Sequence, residues 1–292
     1  MTRLVSPEQA AELVADGATL GIGGLQGNHP MATVRALARA GRGGLRLVSC
    51  PSGMPADLLL ATGAVSWLAS PHWGVDSLIS VGPALRARAA AGDIELWECD
   101  EGILLAGLRA AGSRLPYAPW QAGVGTDLPA LNPDLVEYVD PGSGRTLLRV
   151  PSLDLDVALL RALEADVHGN VRYFRHSAFA DLAIAHAAKT VVVEVERIVP
   201  HEVVAREPER TALHRVDAVV VAPSGTHPFR APGVLLQDDD WLREWSSELR
   251  AAAAAGRPLA DAEVVRRELA ATSHDDYLAL VGTDRLSALR EL

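Results

Sequence analysis

Three runs of the chain constrain its fold more than anything else in it. VALL at 157–160, TVVVEV at 190–195 and AVVVA at 218–222 are nearly continuous in apolar and β-branched residues. A strand with one wet face alternates apolar and polar positions, whereas these barely alternate. They suit a parallel sheet covered by helices on both faces. Further strand candidates are Thr19 to Gly23, Leu45 to Cys50, Val65 to Ala69 and Ile94 to Glu98, and the three apolar runs extend to Val157–Ala162, Thr190–Glu196 and Ala218–Ala222. Between them Met31, Val34, Leu37 and Ala38 share one helical face, as do Leu104, Leu108 and Ala111. The expected architecture is an α/β fold with a wound, mostly parallel sheet flanked by helices.

Local signals set some boundaries. Ser6-Pro7-Glu8-Gln9 combines a serine cap, proline at the first helical position and a glutamine that can bond back, so a helix starts there and is expected to run to Asp16-Gly17. Residues 127 to 150, with Pro129, Pro133 and the Pro141-Gly142-Ser143-Gly144 loop, break the rhythm and read as an excursion with a hairpin. After Pro232-Gly233 the pattern turns helical: Asp238 to Ala255, Leu259 to Ala270, and a short helix from about Asp275. With no polar linker between them, residues 1–235 read as the α/β domain and 236–292 as a helical C-terminal extension packed on it.

A chain of 292 residues, 49% hydrophobic, can fill a sizeable core. Its formal net charge of −10 argues against nucleic acid as a partner, because neutralising phosphates needs clustered positive charge. The opening MTRLVSPEQA has no apolar signal core and no apolar run approaches a membrane span, so a cytoplasmic protein with no membrane partner is the expectation. Cys50 and Cys99 form neither a disulfide framework nor a C-x-x-C pair, and buried reduced thiols are expected. The nine histidines show no zinc spacing, so no metal site is expected. There is no P-loop and no G-x-S-x-G elbow, and Gln26 stands where a dinucleotide fingerprint needs its third glycine.

What remains are loops at predicted strand ends, where open α/β sheets bind ligands. Gly23-Gly24-Leu25-Gln26-Gly27-Asn28-His29-Pro30 follows the first core strand, and its paired glycines allow close approach of backbone N–H groups to a substrate oxygen. Taken alone it is also an ordinary flexible turn. Asp100-Glu101-Gly102 opens a helix, where one acid serves as a cap; the second acid, followed by glycine, is less well explained by helix stability alone. Asp166-Val167-His168-Gly169-Asn170 reads as a tight turn.

Taken in order, these stretches resemble the α subunits of family I CoA-transferases. Asp16-Gly17 through Gly23-Gly24-Leu25 is similar to the family's D-G-x-x-[apolar]₃-G-G-F strand and loop. Glu101-Gly102-Ile103 through Leu115-Pro116-Tyr117 resembles its Q-G-T segment, and Gly123-Val124-Gly125-Thr126 its G-x-G-T. Asp156 to Ala162 with Ala165-Asp166-x-x-Gly169-Asn170, then Ala187-Ala188-Lys189 before Val193-Glu194-Val195-Glu196, match two further blocks. Val216-Asp217-Ala218 through Pro223-Ser224-Gly225-Thr226-His227-Pro228 is similar to the glutaconate CoA-transferase branch. The resemblance covers most of residues 16 to 245 and implies the family fold.

The same resemblance implies the function expected here: the α subunit of a heteromeric CoA-transferase acting on acyl-CoA thioesters. Its partner would be a β subunit in a heterodimer or heterotetramer, carrying the catalytic glutamate in an S-E-N-G-like motif that this chain lacks. No tightly bound cofactor is implied, and coenzyme A enters as part of the substrate. Glu101 is the candidate catalytic residue. Gly23, Gly24, Asn28, His29, Gly125, Gly169 and Asn170 are candidate substrate-binding residues, the two adjacent glycines polarising the thioester carbonyl. Two departures stand out: Leu25 replaces the family's phenylalanine, and Glu101 stands where glutamine is usual. A carboxylate there, which can accept a proton, also resembles the α subunit of a steroid-catabolic relative that opens a ring of a CoA-linked substrate by hydrolysis. A ligand-sensing domain is the non-enzymatic alternative.

Overall fold

The computed structural model describes all residues except 1, 25–26, 51–52, 73, 75–77, 174–178, 214–215 and 292. The replacement of phenylalanine by Leu25 therefore lies outside the described residues. The first half of the chain runs β1 (Arg3–Val5), α1 (Pro7–Ala11), β2 (Thr19–Ile22), α2 (Met31–Arg39), β3 (Leu45–Ser49), α3 (Met54–Ala61), β4 (Val65–Ala69), α4 (Pro83–Ala91), β5 (Glu95–Leu96) and α5 (Glu101–Gly112). An excursion follows: β6 (Tyr117–Trp120), α6 (Leu128–Leu131), β7 (Val136–Val139) and β8 (Thr146–Pro151). The core resumes with β9 (Leu155–Ala165), β10 (Val171–Arg172), α7 (Asp181–Ala187), β11 (Ala188–Ile198), α8 (His201–Ala205), β12 (Thr211–Leu213) and β13 (Ala218–Val221). The tail holds α9 (Asp239–Ala254), α10 (Glu263–Ala270), α11 (His274–Val281) and α12 (Thr283–Ala288).

The main sheet has the order β1-β13-β11-β9-β2-β3-β4-β5, every neighbouring pair on that path being parallel, with β10 antiparallel to β9 and β12. The apolar runs lie at its centre, as their composition requires. On β9, Val157 and Leu159 join the core under α1, α2, α3 and α9, while Ala158 and Leu160 join the core under α5 and α7. Alternate residues of one strand thus serve two buried faces, which is why the run does not alternate in polarity.

Several boundaries differ from the sequence expectation. The Ser6 capping box forms with Gln9, but α1 ends at Ala11: the amides of Leu13 and Val14 turn to Ala10 O and Ala11 O, and Gly17 N–H goes to Gly43 O at 2.9 Å. β5 is cut to two residues because the excursion takes over its backbone, Asn132 Nδ2 donating to Glu98 O at 2.9 Å. β9 and β11 pair over eleven residues each, longer than expected. The excursion forms its own antiparallel sheet, β6-β8-β7, whose β7–β8 hairpin turns at the Pro141–Gly144 loop. In the tail, Leu259–Asp261 is a separate 3₁₀ turn, because Ala262 adopts extended geometry before α10.

Buried polar contacts tie the tail to the core. Trp245 Nε1 donates to Asp57 Oδ2 at 3.0 Å, and Arg35 Nε meets Glu268 Oε2 at 2.6 Å while its guanidinium stacks 3.4 Å from the Tyr277 ring centre. Among the described residues, no helix is long and apolar enough to cross a membrane and no cluster of His, Cys, Asp and Glu could hold a metal ion.

Candidate functional site

The carboxyl ends of β2 and β3 carry the site. Ile22 pairs with Ser49, so the turn starting at Gly23 and the segment starting at Cys50 leave neighbouring strands at one level. Gly23 N–H donates to Leu159 O at 3.0 Å, and Gly24 N–H donates to Asp181 Oδ1 at 2.9 Å. Both donors that the sequence assigned to a substrate carbonyl are therefore engaged within the chain. Gly24 has φ +107, a backbone shape open to glycine, and a Cβ on Gly23 would lie 2.4 Å from Asp181 Oδ1.

Beyond the two undescribed positions the loop is tied down repeatedly. Asn28, at φ +53, gives its backbone N–H to Arg230 O at 2.8 Å and its Nδ2 to Arg161 O at 2.9 Å. His29 N–H reaches Thr226 Oγ1 at 3.0 Å, and its Nδ1 faces Gly23 O at 3.1 Å. Burial pushes the His29 imidazole down to about 4, the contact with Gly23 O opposing only part of that. His29 is therefore neutral, with its proton on Nδ1 and its ring set edge-on to Phe229 at 4.6 Å. Asn28 and His29 are buried, so they line the inner side of the loop rather than an open cleft.

Beneath the loop lies an ion cluster. Arg161 on β9 meets Glu194 Oε1 at 2.5 Å and also pairs with Glu196, both on β11. Thr33 donates to Glu194 Oε2 through N–H and hydroxyl, each at 2.9 Å, and Ser224 N–H donates to Glu196 Oε2 at 2.8 Å. A buried charge set of this kind persists only when its remaining lone pairs are also satisfied.

Glu101 is the first residue of α5. Asp100 caps the helix, its Oδ1 accepting Ile103 N–H at 2.6 Å, which leaves Glu101 without a structural duty. The Glu101 side chain is exposed and makes no hydrogen bond or ion pair with any described residue. Gly102 also has its explanation: a Cβ there would stand 2.8 Å from Trp120 Cζ2, so the glycine lets the first turn of α5 rest against β6. The free thiols lie beside this carboxylate. Burial, then the charge of Glu101, pushes Cys50 up to about 12, and burial, then Asp100, Cys50 and Glu98, raises Cys99. Since Cys50 leaves β3 next to Gly23, Glu101 and the glycine turn share one end of the sheet.

The other predicted residues sit apart from that pair. Gly125 is exposed in the loop after β6 and donates to Glu137 Oε1 at 3.1 Å; its loop nears α5 through Gly123, beside Ile103. Gly169 and Asn170 form the β9–β10 turn. Asp166 Oδ1 accepts the amides of His168 and Asn170 at 2.9 Å each, and Oδ2 accepts Asn170 Nδ2 at 2.7 Å and faces His201 Nδ1 at 2.7 Å. Burial would raise this carboxyl, but those donors hold it at about 2. Gly169 packs on Thr2, next to the β1 edge, whereas Glu101 follows β5 at the opposite edge. Hydrogen bonds of this turn run to Asp166, Thr2 and Val216. Asp181 is the site residue that sequence reasoning missed: an acid ahead of an apolar helical stretch reads as a helix start.

Comparison with known proteins agrees with this architecture. The family model described as Coenzyme A transferase matches residues 5–222. The cholesterol ring-cleaving hydrolase IpdA subunit of Rhodococcus jostii RHA1 is 34% identical over 288 residues, covering 95% of each chain. The glutaconate coenzyme A-transferase structure from Acidaminococcus fermentans superposes with a TM-score of 0.89 at 23% identity, over 100% of this chain and 96% of that one. The structure of a variant of the decarboxylase AibA/AibB gives 0.79 at 32% identity, over 92% of this chain and 98% of that one.

Proposed function

The chain belongs to the coenzyme A transferase family, and we propose that it is the α subunit of a two-subunit enzyme acting on acyl-CoA thioesters, transferring CoA between carboxylic acids. The observation that carries this reading is a site that is half built. A glycine turn and an unpartnered carboxylate, Glu101, lie at the same end of the sheet, but no S-E-N-G nucleophile is present to attack a thioester. A β subunit of similar fold would supply that glutamate. Its carboxylate would attack the thioester carbonyl and expel CoA thiolate, and the thiolate would attack the resulting anhydride to give glutamyl-CoA and the free acid. A second carboxylic acid would reverse both steps. In this scheme the Gly23–Gly24 turn shapes the wall against which the thioester rests, and Glu101 orients the reacting group.

One observation favours a second reading. Glu101 is a carboxylate free of internal bonds where glutamine is the usual residue, and the relative matching over 95% of each chain is named a ring-cleaving hydrolase. In a hydrolase Glu101 would take a proton from water as the hydroxide adds to a ring carbonyl; the adjacent C–C bond would then break, and Glu101 would return the proton to the carbon that leaves. The two readings separate on Glu101→Gln, assayed in the complex with the β subunit. A transferase keeps its turnover within about threefold, whereas a Glu101-dependent hydrolase loses about 10²–10⁴-fold. If the chain alone, with no second subunit, turns over acyl-CoA at the rate of the complex, the heteromeric reading is wrong.

A further inference from the structure

Asp181 opens α7 but does not cap it; its carboxyl turns toward the β2 loop, and Oδ1 accepts the Gly24 N–H at 2.9 Å. The loop rests directly on that carboxyl, since a methyl group on Gly23 would come within 2.4 Å of Oδ1. The second oxygen, Oδ2, is buried and stands next to the buried Tyr173 hydroxyl; neither reaches any other partner among the described residues. Burial raises the Asp181 carboxyl to about 7, against the Gly24 N–H and then Tyr173, and it raises the Tyr173 phenol further above its ordinary value.

Stability does not account for this residue. A buried carboxyl with one oxygen incompletely satisfied is unfavourable, and Asp181 makes no cap bond to α7 that would offset it. What the arrangement does achieve is geometric. It fixes the course of the backbone through Gly23 and Gly24, since the carboxyl holds the Gly24 N–H and leaves no room for a Cβ on Gly23. Polar groups held at a cost behind a ligand-facing loop mark functional positions.

We propose that Asp181 is the positioning residue of this site: through the Gly24 N–H it fixes the Gly23–Gly24 turn in the shape that meets the acyl thioester, a role that rests on the acyl-CoA reading above. The carboxyl touches no reacting atom. Its effect on turnover passes through the backbone of the turn, where a displacement of about 1 Å is enough to cost about 10²-fold.

The test compares Asp181→Asn, which keeps an oxygen for the Gly24 N–H, with Asp181→Leu, which keeps the bulk and removes the acceptor. Both variants are made in the complex with the β subunit. Two readouts are taken: hydrogen exchange of the peptide spanning residues 20–30, and kcat and KM for CoA transfer from succinyl-CoA to acetate, followed as acetyl-CoA formed. The expected result is faster exchange in Asp181→Leu, kcat down about 10²-fold with KM within about threefold, and recovery of both in Asp181→Asn. Unchanged exchange in Asp181→Leu overturns the clamp itself, while altered exchange with unchanged kcat overturns its service to the reaction. Asparagine falling as far as leucine overturns the role of the accepted N–H. A wild-type complex that turns over no thioester sinks the acyl-CoA reading instead, and the exchange comparison then still decides whether Asp181 fixes the turn.

Discussion

Asp57 offers a prediction whose sign and size follow from the structure. It lies on α3, fully buried, with Oδ1 accepting the amides of Ala84 and Leu85 at 2.9 and 3.2 Å and Oδ2 accepting Trp245 Nε1 at 3.0 Å. One side chain therefore pins the first turn of α4 and the tail helix α9 to the core. Burial lifts its carboxyl from 3.8 to about 6, outweighing the hydrogen bonds from Trp245, Leu85 and Ala84 that pull it down. A folded-state value above the unfolded one means that the native protein holds the proton more tightly. The contribution is complete below about 3.8 and is lost as pH rises through about 6. The full difference is roughly 3 kcal/mol, of which roughly 2 kcal/mol falls between about pH 4.5 and about pH 7.5. Asp57→Asn keeps an acceptor for the α4 amides and cannot titrate, although its NH₂ faces the indole donor of Trp245. Urea unfolding followed by tryptophan fluorescence at those two pH values should show the variant gaining roughly 2 kcal/mol on the wild type as pH rises. A gap constant to within about 0.5 kcal/mol would mean that Asp57 ionises normally and that burial does not govern it.

Two substitutions test the foundations of the site. Gly23→Ala drives a methyl group into Asp181 Oδ1 and to 2.6 Å from Leu160 Cδ2, and should destabilise by about 1–3 kcal/mol in urea. Gly43→Ala, with nothing within 4 Å and an ordinary φ, should change stability by less than about 0.5 kcal/mol; equal losses at the two sites would refute the close contact. Arg161→Met leaves the Glu194 and Glu196 carboxylates buried without their cation and should cost about 3–5 kcal/mol. Replacing all three by apolar residues of similar volume should recover most of that loss, and a triple variant as unstable as the single one would show that the charges themselves stabilise the sheet.

What could be read from the sequence was local. The Ser6 capping box and the Asp100 cap are patterns of residues three apart, and each forms as such. The apolar runs announce a doubly covered sheet because burial of both faces leaves its mark in one strand. The pairing of Arg161 with Glu194 and Glu196 went unread, although alternate charges inside apolar strands have no solvent to face. What could not be read depends on distant partners. Gly102 is set by Trp120, and β5 stops short because Asn132 claims Glu98 O. Asp181 acts on Gly24, 157 residues earlier in the chain, and nothing in its own neighbourhood marks it as other than a helix start.

The two halves of the site are held in opposite ways, and that contrast bears on the chemistry. The glycine loop is bonded to Leu159, Arg161, Asp181, Thr226 and Arg230, which come from β9, α7 and the segment after β13. Its described residues are thus tethered at several separate points, Asp181 holding the Gly24 end. Glu101 stands on a helix that another residue caps, beside thiols whose raised values keep them protonated and uncharged. Its carboxylate thus has neither a cation to neutralise it nor a donor to hold it among the described residues, and it faces solvent in this chain. A group retained only for stability would be expected to make at least one of those bonds, as Asp100 does next to it. Under the proposed function, a carboxylate left free beside the glycine turn would be open to a β subunit and an acyl-CoA, which is why an amide-for-carboxylate exchange at position 101 is the substitution that separates the two readings.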